Sequence, residues 1–270
     1  MKILRFFLRQ LAAAMSVIGV LALTPAAGAA GQVTLFPVAD TALSENWSGN
    51  NFGGMPFAMS GTTQNFTANR ALFRFDPSDA LPRGAVITSA SLSLEVTREP
   101  EDGYNISDFG VHRVLRSWSE GDNVTPAGSP SPASGAPADS GEATWNFRHA
   151  LLEPWGAPGG QAGVDYVAAA SASTTVYGVG DSPYVFSSQG MVDDVQFWLA
   201  HPESNFGWML VSQAESLDFT ARRFGTREDP LNIPTLNVGF DMAPEPSPLT
   251  LSLLACLVLL ARPGRSMPDE

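Results

Sequence analysis

Arg70-Ala71-Leu72-Phe73-Arg74-Phe75-Asp76, then a turn at Leu81-Pro82-Arg83-Gly84, then Val86-Ile87-Thr88-Ser89-Ala90-Ser91-Leu92-Ser93-Leu94-Glu95-Val96-Thr97, is the stretch that decides the fold. In the first run Ala71, Phe73 and Phe75 share one face, with Arg70, Leu72, Arg74 and Asp76 on the other. In the second, Ala90, Leu92, Leu94 and Val96 alternate with Ser91, Ser93, Glu95 and Thr97. Successive side chains of a strand point to opposite faces, so this alternation predicts two half-buried strands. In the turn, Pro82 presets the second position and Gly84 closes it. The apolar face of such a pair needs a second sheet to cover it.

Working outward, further strands are expected at Gln32 to Val38, Phe109 to Arg116, Asn205 to Val211, Leu217 to Phe224 and Pro234 to Phe240. Ser187 to Leu199 predicts the single helix. Met191, Val192, Val195, Trp198 and Leu199 recur at helical spacing, Ser188 can cap the start, and His201-Pro202 ends it. Val124 to Gly141 is rich in Pro, Ser, Ala and Gly and is expected to be an exposed loop. Many short strands with one short helix indicate an all-β jelly-roll β-sandwich.

The chain has 270 residues and a formal net charge of -12, and its only lysine is Lys2. That balance argues against nucleic acid, whose phosphates need a basic footprint. It also disfavours strongly anionic polysaccharides, unless Arg74, Arg113, Arg116 and Arg148 cluster. An acidic surface suits divalent cations and solubility. The single cysteine, Cys256, leaves the globular part without a disulfide.

Both ends read as targeting segments. Lys2, Arg5 and Arg9 precede the apolar run Leu11 to Leu23 and the small residues Ala27-Gly28-Ala29, the pattern of a signal peptide over residues 1–30. The sandwich then spans 31–242. In residues 243–270, Pro244-Glu245-Pro246 leads an apolar run, Leu249 to Ala261, and the basic Arg262 and Arg265. This tail resembles the PEP-CTERM sorting signal. The resemblance implies handling by exosortase-type machinery at the membrane and an address at the envelope or outer surface of a Gram-negative-type bacterium.

Between these ends the chain resembles DNRLRE-domain proteins. The resemblance is carried by Asp40-Thr41 with Asn50-Asn51-Phe52-Gly53, by Arg70 to Asp76, and by Thr88-Ser89-Ala90-Ser91-Leu92. Val111-His112-Arg113-Val114 with Trp118-Ser119-Glu120-Gly121, then Ala143-Thr144-Trp145-Asn146, then Ser204-Asn205-Phe206-Gly207 complete it. It implies a secreted jelly-roll sandwich similar to carbohydrate-binding modules, with no catalytic activity of its own.

Candidate site residues follow from chemistry. Trp47, Phe52 and Trp155 lie in Gly-rich loops, where an exposed ring can stack on a sugar. Trp198 and Trp208 fit core positions. Asp40, Asn50, Asn51 and, if the first and last strands are neighbours, Asp241 offer hard oxygens for a structural calcium ion. The same residues equally suit Asx-turn hydrogen bonding. His112, His149 and His201 have no metal-ligand spacing. Asp193-Asp194 is expected to favour the positive end of the helix, and Glu99, Glu101 and Asp102 to be solvated. The expected function is non-catalytic binding of polysaccharide, or a role in the extracellular matrix. A polysaccharide lyase or glycosidase, and a purely structural envelope domain, are the alternatives.

Overall fold

A computed structural model describes residues 30–242. The signal-peptide and sorting-tail readings, and Cys256, lie outside the described residues. The described strands are β1 (Ala30–Leu35), β2 (Pro37–Ser44), β3 (Asn50–Asn51), β4 (Phe57–Thr62), β5 (Ala68–Phe75), β6 (Ala85–Leu94), β7 (Val96–Arg98) and β8 (Ser107–Arg113). After them come β9 (Ala136–Pro137), β10 (Phe147–His149), β11 (Glu153–Pro154), β12 (Ala172–Val176), β13 (Tyr184–Ser187), β14 (Trp208–Ser212), β15 (Arg222–Gly225) and β16 (Thr235–Met242). The helix α1 (Gln189–Ala200) lies between β13 and β14.

The protein is an all-β sandwich of antiparallel sheets. One sheet has the order β1-β16-β6-β13. The other has eight strands, β12-β8-β14-β5-β4-β15-β7, with β2 also on β5. The two alternating runs quoted above became β5 and β6, and they lie in different sheets. Their apolar faces meet between the sheets: Ala71, Phe73, Phe75, Ala90, Leu92 and Leu94 are all buried in one cluster with Phe109, Phe186, Trp198, Trp208 and Phe224. The turn before β6 differs from expectation. Ala85 N–H donates to the Pro82 carbonyl, so Pro82 is its first residue, and Gly84 at φ +79° supplies the left-handed third position.

The helix forms where the spacing placed it. The Ser188 hydroxyl accepts from Met191 N–H and caps the start, and His201 ends the helix. Trp198 meets Trp208 edge-on at 4.4 Å. Asp194 is not at the helix start. It is buried, ion-paired with the Arg113 guanidinium at 3.0 Å, and accepts from Trp208 Nε1 at 2.8 Å. The dipole reading of Asp193-Asp194 is thereby corrected, because neither lies in the first turn, and Asp194 anchors α1 to the large sheet.

The other face of the large sheet is not solvated either. Leu72, expected with Arg70 and Arg74 on the polar face, is buried in a second core with Leu43, Met209 and Val211. The segment after β8 covers this face with Trp118, Trp145, Trp155 and Tyr166. Arg70 pins the cover. It forks onto Glu215, donates to the carbonyls of Gly159 and Gly160, and lies over the rings of Trp145 and Tyr166 at 5.7 and 5.6 Å. Gly159, at φ +81°, admits the Trp145 ring, which an added Cβ would meet at 2.5 Å. The loop expected to be exposed over Val124 to Gly141 is partly structural: β9 pairs with β3, and Ser134 is buried.

Candidate metal centre and ligand cleft

The sandwich fixes two sites with different chemistry. The first is built around Asp40, in the middle of β2 opposite Phe73. Its neighbours Ala39, Thr41, Ala42 and Leu43 are buried, and Asp40 itself is 0% exposed. Glu120 reaches it from the segment after β8, and Glu228 from the loop after β15. One carboxylate oxygen from each of Asp40, Glu120 and Glu228 lies within 4.8 Å of the other two.

Hydrogen bonds organise this centre without completing it. Asp40 N–H donates to Glu120 Oε1 at 2.7 Å, and Arg227 N–H to Asp40 Oδ2 at 3.0 Å. The Arg227 guanidinium forks onto both Glu120 oxygens, each at 2.8 Å, and its Nε lies 3.0 Å from Glu228 Oε1. Asp40 Oδ1 and Glu228 Oε2 are buried and accept nothing from the described residues. Burial pushes the Asp40 carboxyl up to about 8, and the charges of Glu228 and Glu120 add to that; the bond from Arg227 N–H opposes it. Burial also raises Glu228, against the pull of Arg227.

The other expected metal ligands are elsewhere or already used. Asn51 is fully buried, and its side chain is saturated by the main chain. Nδ2 donates to the carbonyls of Glu120 and Ala143, while Oδ1 accepts from the N–H groups of Gly53 and Asn123. It ties three loops together, as an Asx-type hydrogen-bonding residue does. Asn50 Nδ2 donates to the Ser134 carbonyl. The first and last strands are indeed neighbours, with Ala30 opposite Asp241. The chain passes to the large sheet between Leu35 and Pro37, however, so Asp40 and Asp241 belong to different sheets. Among the described residues the acidic ligand group is Asp40, Glu120 and Glu228.

The second site is an open cleft of about 480 Å³ on the outer side of β4, β15 and β7. Met59 and Arg223 are directly opposed in register and form its floor. Half-buried Trp47 flanks it, with the amides of Asn46, Gln64 and Asn65. Glu99, Glu101 and Asp102 line the cleft as well; Glu101 and Asp102 are exposed to solvent as expected, and Glu99 is half-buried. Glu101 pairs with Arg98, and a Glu99 oxygen accepts from Val179 N–H.

Of the three aromatic platforms, Trp47 alone borders this cleft. Phe52 is 1% exposed and belongs to the core between the sheets. Trp155 is 4% exposed, in the second core, with its Nε1 donating to the Thr144 carbonyl at 2.9 Å. Both are corrected from sugar platforms to packing residues: their Gly-rich loops fold back on the sandwich, which the indole and phenyl rings themselves favour by burying apolar area. Comparison with protein-family models and with curated proteins finds no match for this chain.

Proposed function

We propose that this domain is an exported, non-catalytic module that holds a neutral or mildly charged polysaccharide in the cleft beside Trp47. The observation that carries the reading is the composition of that cleft. A half-buried indole borders an open depression whose other polar groups are amides, hydroxyls, three carboxylates and the guanidiniums of Arg98, Arg222 and Arg223. A sugar ring offers an apolar face to stack on an indole and a rim of hydroxyls that both donate and accept. Amides, hydroxyls and carboxylates match that rim, whereas three carboxylates set against three guanidiniums leave no net positive charge to draw a polyanion. A shallow surface suffices for stacking, with no deep pocket. The apolar, basic and Pro-Glu-Pro patterns at the two ends support an address at the cell envelope.

Affinity electrophoresis of the full chain against neutral and acidic polysaccharides tests this. Retardation by at least one neutral polymer is expected, weakened about tenfold by Trp47→Ala, the equivalent of about 1.4 kcal/mol. Retardation only by acidic polymers, abolished by salt, overturns the stacking argument. Release of reducing ends or unsaturated sugars moves the protein to the enzyme class, and no retardation by any polymer leaves the purely structural reading.

A further inference from the structure

The Asp40 centre lies apart from the Trp47 cleft, and its chemistry is that of an ion site. Three carboxylates converge there against a single guanidinium, that of Arg227. With all three ionised, two negative charges are left over at a place where Asp40 is entirely buried. A buried carboxylate is costly unless it is paired, coordinated or protonated. The hydrogen-bond pattern shows which oxygens remain free. Glu120 is occupied on both oxygens by Arg227, and on Oε1 also by the Asp40 N–H. Asp40 Oδ1 and Glu228 Oε2, by contrast, have no partner among the described residues although both are shielded from solvent.

We propose that Asp40, Glu228 and Glu120 hold a divalent cation of the calcium type. The separation fits. Calcium takes oxygen ligands at about 2.3–2.6 Å, so oxygens on opposite sides of one ion lie up to about 5 Å apart. The carboxylate oxygens here fall within 4.8 Å. The donor set is all oxygen, which suits calcium or magnesium and not the softer metals that favour imidazole or thiolate. Calcium fits better than magnesium, because it tolerates irregular ligand sets and completes its six to eight positions with backbone carbonyls and water. Arg227 stays on Glu120 and orients it, the part a hydrogen-bonded outer partner plays for a ligating carboxylate.

The ion joins pieces of chain far apart in sequence. Asp40 and Glu120 are separated by 80 positions, and Asp40 and Arg227 by 187. It thereby fastens β2 to the segment that leads into the cover of the large sheet and to the loop after β15. A group that binds the folded chain and not the unfolded one adds to stability by mass action. At a free calcium concentration about 100-fold above Kd, a domain of this size gains roughly 5–10 °C in Tm.

The test uses the full chain after chelator treatment. Calcium and, separately, magnesium are added at 1–5 mM (order of magnitude for extracellular calcium modules) while Tm is followed, and metal content is measured on protein purified without chelator. The expected result is a rise with calcium of about 5 °C or more, a smaller rise with magnesium, and calcium in the untreated protein. Glu228→Gln and Asp40→Asn should each weaken calcium binding, read by titration calorimetry, by at least the roughly 10–100-fold that a ligand's outer partner is worth. Glu228 is only half-buried, so Glu228→Gln keeps the test alive if Asp40→Asn folds poorly. The proposal is overturned if neither ion moves Tm and the untreated protein carries no metal. It is equally overturned if a calcium shift persists unchanged in Glu228→Gln, because the ion then sits elsewhere.

Discussion

Arg222 and Asp40 are both buried charged side chains of the large sheet, and the chain treats them in opposite ways. Arg222, at the start of β15, is 1% exposed and has no carboxylate bonded to it among the described residues. It donates instead to the backbone carbonyls of Tyr177, Phe219, Ala221 and Asn105, and lies over the Tyr104 ring at 4.3 Å. Burial pulls its pKa down, with Glu99 opposing, yet a guanidinium keeps its proton in proteins. Asp40 has two like charges beside it and an oxygen with no partner. The difference separates two meanings of buried charge. Where the fold supplies every bond, the charge is a structural clamp. Where the fold gathers more of the same charge and leaves an oxygen bare, the charge is unfinished, which is the ground for the ion proposed above.

The largest effect that sharpens this contrast is Arg222→Met. The substitution keeps much of the apolar stem but leaves the four carbonyls without their donor. Bonds to a charged group are worth about 1.5–3 kcal/mol each. A loss of at least about 3 kcal/mol in urea unfolding is expected, with the same value in calcium and in chelator. A loss under about 1 kcal/mol would break the comparison, since Arg222 would then be no clamp.

Asp40→Asn should do the reverse in chelator. A carboxyl held at about 8 when folded, against an ordinary value near 4 when unfolded, takes up a proton on folding anywhere between those limits. The Asp40 contribution to metal-free stability is therefore greatest below about pH 4 and declines as pH rises to about 8. Glu228 and Asp194, both raised by burial, add slope of the same sign. Asn cannot ionise, so Asp40→Asn should flatten most of this slope and stabilise the chelated protein at pH 8 by about 1–3 kcal/mol. With calcium present the wild type should keep its stability at pH 8. A chelated wild type as stable at pH 8 as at pH 5 would show that Asp40 carries no uncompensated charge.

What the sequence revealed follows from the range of the signals. The alternation in β5 and β6 is local, and it placed Phe73, Phe75, Leu92 and Leu94 correctly between the sheets. The helical spacing around Trp198 is equally local. Asp40 was chosen with Asn50, Asn51 and Asp241 as a hard-oxygen donor, and it alone of the four belongs to the acidic group. Its companions there were not legible, because Glu120 and Glu228 approach only when three distant loops fold, and no spacing rule spans such distances. Asn50, Asn51 and Asp241 were chosen for nearness in sequence or for strand adjacency. Asn51 turned out to spend its amide on four main-chain groups, and Asp241 to lie on the other sheet. The second core was misread from composition. Gly and Pro around Trp155 suggested an exposed loop, yet Leu72, Met209 and Val211 show apolar residues on both faces of their strands. Such strands are covered on both sides, and the tryptophans are the cover.

The same contrast between finished and unfinished groups divides the aromatic rings and gives the smallest effect. The Trp155 indole is enclosed and its N–H is bonded to Thr144; Trp47 is partly open and borders a cleft. Trp155→Phe removes one hydrogen bond and leaves one carbonyl to find water, a cost of about 1 kcal/mol. It should lower Tm by a few degrees and leave retardation by polysaccharide unchanged. Trp47→Phe keeps an aromatic face in the cleft, so it should retain part of the retardation that Trp47→Ala loses. Measuring the three variants on one gel series, alongside their melting curves, separates packing from recognition. If Trp155→Phe weakens retardation as much as Trp47→Ala while the Trp47 variants melt normally and bind normally, the recognition surface lies over the second core and the cleft is not the site.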